Sequence, residues 1–257
     1  MNWRNIAEDI SEWIGQYANK NGIEALVVGV SGGVDSAVTS TLSAMTGINT
    51  IVLNMPIHQD RGQFDLSDHH IKWLKSKWGN VSDQVLDLSS TYDEFRSELG
   101  GISELSRANS RARLRMTTLY AIAGSNNGIV VGTGNKVEDF GVGFFTKYGD
   151  GGVDISPIAD LFKSEVFAIG KELGIAHEIL DAAPTDGLWD DGRTDEEQMG
   201  ASYDELEWAM KELGDPSGSE MSKRELEVIR LYRDLHESNT HKMSPIPVFK
   251  LNPAFRG

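Results

Sequence analysis

The sequence predicts an α/β fold: a doubly wound, mostly parallel sheet with helices on both faces. Three observations carry this. Apolar runs at Ala25–Val30, Thr50–Met55 and Gly128–Gly132 are too short for helices and are bounded by glycine or proline, as buried parallel strands are. Stretches with apolar residues at helical spacing separate them, so strand and helix alternate as in right-handed βαβ crossovers. The first run ends in Ser31-Gly-Gly33 and passes directly into a helical pattern, a strand–turn–helix unit.

Taken in order, residues 3–17 place Trp3, Ile6, Ile10, Trp13, Ile14 and Tyr17 on one helical face, with Glu8, Asp9, Glu12 and Gln16 elsewhere. That stripe suits core or subunit packing. The strand Ala25–Val30 leads through the glycines to a helix over Asp35–Met45, with Val34, Val38, Leu42 and Met45 at apolar spacing. Thr50–Met55 is the second strand, stopped by Pro56. A helix over 64–78, a third strand over Ser82–Asp87, helices over 91–98 and 103–125, and a fourth strand over Gly128–Gly132 follow. In such sheets ligands collect at the carboxyl ends of the strands. Those ends are the Ser31 turn, the segment after Met55 and the segment after Gly132.

Composition narrows the function classes. With 257 residues, 39% apolar and 25% charged, residues 1–257 read as a single globular domain. No run approaches the ~18–20 apolar residues of a membrane span. The start of the chain has no apolar signal core, which predicts a cytoplasmic protein. The absence of cysteine removes disulfides, thiolate metal sites and a thiol nucleophile. A net charge of −15 argues against a nucleic-acid footprint and leaves room for a small anion in a local basic pocket.

The glycine turn is suited to phosphate. Ser31, Gly32 and Gly33 present backbone N–H groups at the positive end of the following helix. No lysine stands where a Walker loop needs one, and the GxGxxG fingerprint is absent. A helix dipole contributes about 0.3–1 kcal/mol, whereas a ~0.1 mM complex requires roughly 5.5 kcal/mol. The amides therefore need a metal and distant basic residues to complete the site. Asp35 is the local carboxylate for a hard cation such as Mg²⁺. The alternative is that Asp35 and Ser36 only cap a helix.

Two later segments carry candidate chemistry. In 103–125, Arg107, Arg111 and Arg115 share one face, read as solvated. Arg113 points the opposite way, beside Ala112, Met116 and Leu119, where an arginine needs an anion. The glycine-rich segment 133–163 carries Glu138, Asp139, Asp150, Asp154, Lys147 and Lys163 after a strand end. By composition alone it is either a functional loop with short helical turns or an ordinary surface loop. The acidic run Asp186, Asp190, Asp191, Asp195, Glu196, Glu197 reads as a solvated loop.

Ser31-Gly-Gly-Val-Asp-Ser36 resembles the SGGxDS loop of the N-type ATP pyrophosphatases, which cleave ATP between the α- and β-phosphates and adenylate a substrate. The run Phe145-Thr-Lys-Tyr-Gly-Asp-Gly-Gly152 and its flanks, Pro184–Trp189, Asp195–Gly200, Ser202–Glu205 and His241-Lys242 are similar to the NAD synthetase family within that superfamily. The matches run from about residue 25 to 242. The resemblance implies a Rossmann-like, adenine nucleotide alpha hydrolase-like fold, and ATP-dependent amidation of deamido-NAD to NAD through an adenylated carboxylate.

By position, the resemblance implies that Gly29, Val30, Ser31, Gly32, Gly33, Val34, Asp35 and Ser36, with Thr133, Lys163 and Thr185, contact ATP. It implies that Asp35 and Glu138 hold Mg²⁺, and that Arg113, Lys147, Asp154, His241 and Lys242 contact deamido-NAD. Asp35 and Lys163 would serve catalysis, and Asp154 could take a proton from incoming ammonium. Thr133 to Lys147 is one residue longer than the family pattern, which leaves the second metal ligand between Glu138 and Asp139, with Glu138 keeping the usual spacing from Thr133. Glutamine-dependent members carry a further amidase domain with a cysteine nucleophile. A chain without cysteine is therefore expected to use free ammonia. Family members imply a homodimer. The competing readings are a tRNA-modifying ligase on the same loop, which the net charge disfavours, and a nucleotide sensor, which would not need Glu138, Lys163 and Thr185 in register.

Overall fold

A computed structural model describes residues 1–185, 187–189, 192–218 and 220–256. Four parallel strands, β1 (Ala25–Gly29), β2 (Asn49–Asn54), β3 (Val81–Val85) and β4 (Gly128–Val130), lie in the order β3-β2-β1-β4. Val27 is the register point, paired with Ile51 on one side and Val130 on the other. Beyond β4, Val131 forms a parallel bridge to Ile155, so the 153–155 segment shields that edge.

The expected helices are present, with ends moved by a few residues: α1 (Trp3–Lys20), α2 (Val34–Met45), α3 (Arg61–Lys77), α4 (Ser89–Glu98) and α5 (Glu104–Ser125). Side-chain alternation along the strands divides the core. Leu26, Val28 and Val52 pack with α1, α2 and α3 on one face. Ala25, Val27, Ile51, Leu53 and Val130 meet Met116, Leu119 and Ala123 of α5 on the other. The sheet is doubly wound, as expected. In α1 the stripe packs inward except at its edge, where Trp13 stays 46% exposed.

Helix α2 lies between layers and is buried almost all round. It is rich in small hydroxyl residues, and three of them bond within the helix: Ser40, Thr41 and Ser43 each donate to the carbonyl four residues back, at 2.7–2.9 Å. Such a helix packs close to β1 and brings its N-terminus to the strand end. His70 of α3 braces it. Ser40 spends its proton on Ser36 C=O, so the buried imidazole Nε2–H donates to Ser40 Oγ at 3.0 Å.

The second half of the chain contributes α6 (Lys163–Leu173), α7 (His177–Leu180), α8 (Asp195–Met199), α9 (Tyr203–Gly214) and α10 (Lys223–Met243). Helix α6 joins the first core face through Val166 and Ile169. A separate apolar cluster joins α9 and α10 to a π-helical turn at Val137–Val142, through Val142, Leu206, Ala209, Val228 and Ile229. The 133–163 segment is thus a folded link between the two cores. Among the described residues no helix is long and apolar enough to cross a membrane.

Burial pushes the His70 imidazole down to about 4. The unfolded chain takes up that proton near pH 6.5, so between pH 6.5 and 4 the unfolded state binds more protons and stability falls as pH drops. The full contribution is about 3 kcal/mol. Urea unfolding of wild type and His70→Gln between pH 7.5 and 4 should show this part of the pH dependence only in wild type.

Candidate active site

The site begins where β1 ends. Gly32 has φ +94°, and a Cβ there would stand 2.7 Å from the Gln63 carbonyl oxygen, so only glycine fits this crossing under α3. Gly33 is the N-cap of α2 and provides no side-chain cap. Ser36 Oγ donates to Gly33 C=O at 2.9 Å and accepts from Ser31 N–H at 3.2 Å, which holds the loop in a tight arc. Asp35 caps nothing. Its carboxylate turns away from the helix axis, and the purely capping reading of the loop is set aside.

Asp35 Oδ2 accepts from Lys163 Nζ, and Oδ1 accepts from Asn135 Nδ2 at 3.1 Å. Lys163 is the first residue of α6, and its side chain is 4% exposed. Its ammonium also donates to Glu138 Oε1 at 3.2 Å. Asn135 Oδ1 accepts from the Val137 and Glu138 amides, so one residue holds the Asp35 carboxylate and the backbone that carries Glu138. Tyr203 completes the group: its hydroxyl donates to Glu138 Oε1 at 2.5 Å, and its ring centre lies 4.7 Å from Lys163 Nζ.

The electrostatics follow from burial and charge count. Burial works to lower the Lys163 ammonium, but Asp35 and Glu138 outweigh it and hold it above the ordinary lysine range. For Asp35, burial raises the carboxyl despite Lys163, and the neighbouring Glu138 adds to the rise. These directions agree physically: two carboxylates share one ammonium and leave one uncompensated negative charge. That excess, on hard oxygen donors, fits a divalent cation such as Mg²⁺ bound together with phosphate oxygens and water. Among the described residues no three acidic or histidine side chains form a metal cage by themselves. Asp139 is pushed well above the carboxylate range by burial, then by Glu138 and Asp150. It packs against Gly134, where a Cβ would overlap it at 2.2 Å.

These groups line a cavity of about 240 Å³. Gly29, Val30, Ser31, Gly33, Val34, Asp35 and Ser36 form its loop side, and Thr133, Glu138, Lys163 and Thr185 also reach it. Met55, Met116, Leu119, Val130 and Val153 make an apolar end, suited to a flat ring. Gly32 lies outside the lining and shapes the loop from behind.

The remaining candidates form a second group. Arg113 Nε donates to Lys147 C=O at 3.2 Å, Lys147 Nζ donates to His241 C=O at 2.8 Å, and Lys242 Nζ reaches the Gly143 and Phe145 carbonyls. They meet where the 143–147 stretch touches the end of α10, outside the cavity lining.

Three expectations are corrected. Asp154 lies outside the cavity lining: it accepts from Val130 N–H at 2.7 Å and Tyr120 hydroxyl at 3.1 Å on the edge of β4. The arginine row is not a solvated face. Arg111 is buried, lies over Tyr92 at 5.1 Å and donates to Leu188 C=O, while Arg115 donates to Met55 C=O and lines the cavity. Arg113 is the exposed one, because α5 turns that face away from the sheet. In the acidic run, Asp195 is buried and lines the cavity, with Tyr203 hydroxyl 3.4 Å away. Glu196 accepts from Tyr203 N–H, and Glu197 completes a capping box with Thr194. Asp186, Asp190 and Asp191 lie outside the described residues.

Sequence pattern gives Tyr203 and Asn135 no role of their own, and places Arg115 and Asp195 on solvated surface. Their one signal was position: Asn135 follows a strand end, and Asp195 and Tyr203 fall inside the segments quoted for the resemblance.

The profile of the NAD synthase family matches residues 6–246. The chain is 37% identical to the NH(3)-dependent NAD(+) synthetase of Alkaliphilus metalliredigens, with 93% of this chain and 96% of that protein covered. It is 35% identical to the enzyme of the same name from Archaeoglobus fulgidus, with 98% of each covered. Among solved structures, it resembles NMN synthetase from Francisella tularensis with a TM-score of 0.85 and 33% identity, covering 98% of this chain and 100% of that one. NH3-dependent NAD synthetase from Campylobacter jejuni, at a TM-score of 0.80, 24% identity and coverage of 97% and 100%, shares the fold.

Gly32→Ala would combine a left-handed φ with a backbone clash. A loss of about 1–3 kcal/mol is expected in urea unfolding, together with at least tenfold weaker ATP binding in calorimetric titration.

Proposed function

The chain belongs to the NAD synthase family, and from that membership we propose that it amidates deamido-NAD to NAD with ammonia, splitting ATP into AMP and pyrophosphate. The observation that carries the reading is the buried Lys163 ammonium, held between Asp35 and Glu138 beside the Ser31–Ser36 loop. A cation and the glycine loop line one cavity there, where a triphosphate leaving group would gather charge.

The reaction runs in two steps. The nicotinate carboxylate attacks the α-phosphorus, and the α–β bridging bond breaks with its electron pair going to pyrophosphate. Lys163 and the loop amides take up that charge, in a buried setting where each donor is worth more than in water. The product is a mixed anhydride, an acyl carbon with AMP as leaving group. Ammonia attacks that carbon, AMP departs, and one proton is released. Positioning supplies the remainder: the apolar end under Met116 and Leu119 holds the adenine, and Thr133 and Thr185 bound the ribose and phosphates. Asp35 and Glu138 would hold Mg²⁺, which supplies charge neutralisation at the phosphate oxygens.

Arg113, Lys147, His241 and Lys242 gather on an outer face, and in this reading they meet the anionic part of the acceptor. Residues 1–257 act as one unit, because the second apolar cluster carries Tyr203 to the catalytic lysine. Assembly as a homodimer in the cytoplasm belongs to the same proposal. A second acceptor is favoured by one observation: the relative named NMN synthetase matches across its whole length at 33% identity. Nicotinate mononucleotide in place of the dinucleotide would use the same chemistry and give NMN.

The test is to incubate the protein with ATP, Mg²⁺ and ammonium, offering deamido-NAD and nicotinate mononucleotide in parallel, and to follow NAD, NMN, AMP and pyrophosphate. Ammonium-dependent NAD, one for one with pyrophosphate, is the expected result; faster NMN formation would establish the second acceptor. ATP binding without cleavage would sink both. Lys163→Ala should lower kcat by about 10²–10³, with product formation the measurement that checks it.

A further inference from the structure

Helix α9 is far from the nucleotide loop in sequence, yet it grips the catalytic lysine from two sides. Tyr203, the first residue of α9, is 6% exposed and sends its hydroxyl to Glu138 Oε1 at 2.5 Å, with its ring under Lys163 Nζ. One turn later, Glu207, 4% exposed, accepts from Ser164 N–H at 2.8 Å and Ser164 Oγ at 2.7 Å. That bidentate clasp closes on the residue next to Lys163, in the first turn of α6. Helix α9 is itself anchored: Ser202 and Glu205 form a capping box, Arg224 of α10 donates to both Glu205 oxygens at 2.7 and 2.8 Å, and Glu196 takes the Tyr203 amide at 2.9 Å.

The geometry within Glu138 is specific. Tyr203 and Lys163 both donate to Oε1, and Oε2 has no hydrogen-bond partner among the described residues. Glu138 lines the cavity. Two donors on one oxygen fix the rotation of the carboxylate and leave the other oxygen as an acceptor for whatever occupies the cavity. A phenol does this where a second lysine would cancel the negative charge.

We propose that Tyr203 is a positioning residue for the adenylation step: its hydroxyl sets the rotation of Glu138 and its ring seats the Lys163 ammonium, while Glu207 holds the backbone that carries the lysine. The inference rests on the roles given to Lys163 and Glu138 above. It predicts that Tyr203 affects the rate of pyrophosphate release far more than it affects nucleotide binding.

Tyr203→Phe keeps the ring and removes the donor; Tyr203→Leu removes both. Tyr203→Phe is expected to lower kcat for pyrophosphate release about tenfold, the scale of one hydrogen bond to a charged group. KM for ATP should stay within about twofold and the melting temperature within a few degrees. Tyr203→Leu should lose about a further tenfold through the ring contact. The decisive measurement is the Tyr203→Phe change repeated in a Glu138→Gln background. If the phenol acts through Glu138, it should cost less than about twofold there. A kcat for Tyr203→Phe equal to wild type would overturn the proposal. So would the same loss in both backgrounds, or a loss matched by equally weakened ATP binding, since each marks a merely structural tyrosine. Wild-type protein run in parallel separates the two failures: an inactive wild type removes the functional reading, whereas an active wild type with an unaffected Tyr203→Phe removes only this inference.

Discussion

Everything at the centre of this protein depends on one buried ammonium. Lys163 stands between Asp35, from the first strand–turn–helix unit, and Glu138, from the turn that opens the second half of the chain. Removing the lysine would leave two part-buried carboxylates without a counterion, and breaking a buried pair in this way typically costs 3–5 kcal/mol. The arrangement is therefore a constraint on the fold as well as on the chemistry. The two apolar cores, one on the sheet and one around α9 and α10, must stay in register for the three charges to meet. The charge count also leaves the site negative, and its hard oxygen donors fit a divalent cation.

The scaffold explains why the loop can be so exacting. Helix α2 is made of small and hydroxyl residues, of which Ser40, Thr41 and Ser43 bond to carbonyls of their own helix, so it packs tightly against β1. Gly32 crosses beneath α3 with no room for a side chain. Ser36 ties the turn from within, and His70 steadies the helix one turn further on. The amides at the end of β1 are thus held by a dry, crowded layer, and preorganisation of this kind is what makes a weak dipole useful.

The arginine helix shows how periodicity can mislead. Arg107, Arg111 and Arg115 do share a face, as their spacing requires, but α5 is buried on more than its apolar side. Arg111 and Arg115 turn toward carbonyl groups at Leu188 and Met55. The same error, read in the other direction, made Asp195 part of a solvated run. Its neighbours Glu196 and Glu197 are spent on helix ends, while Asp195 lines the cavity.

By itself the sequence determined the strand order of events along the chain, the glycine turn and its phosphate character. Through the resemblance it also determined the family and the loop side of the cavity, with Thr133, Glu138, Lys163 and Thr185. Those features are local: a short apolar run, a missing lysine, a motif with fixed spacing. Tertiary structure decided what local pattern could not hold. It chose Tyr203 and Asn135 as the partners of Glu138 and Asp35, turned Arg111 and Arg115 inward and Arg113 outward, and moved Asp154 to the edge of β4. Each of those outcomes depends on which element packs opposite, over separations such as the 65 residues between Glu138 and Tyr203. A hydrogen bond at that range is set by the packing of two cores, and no window of sequence contains it.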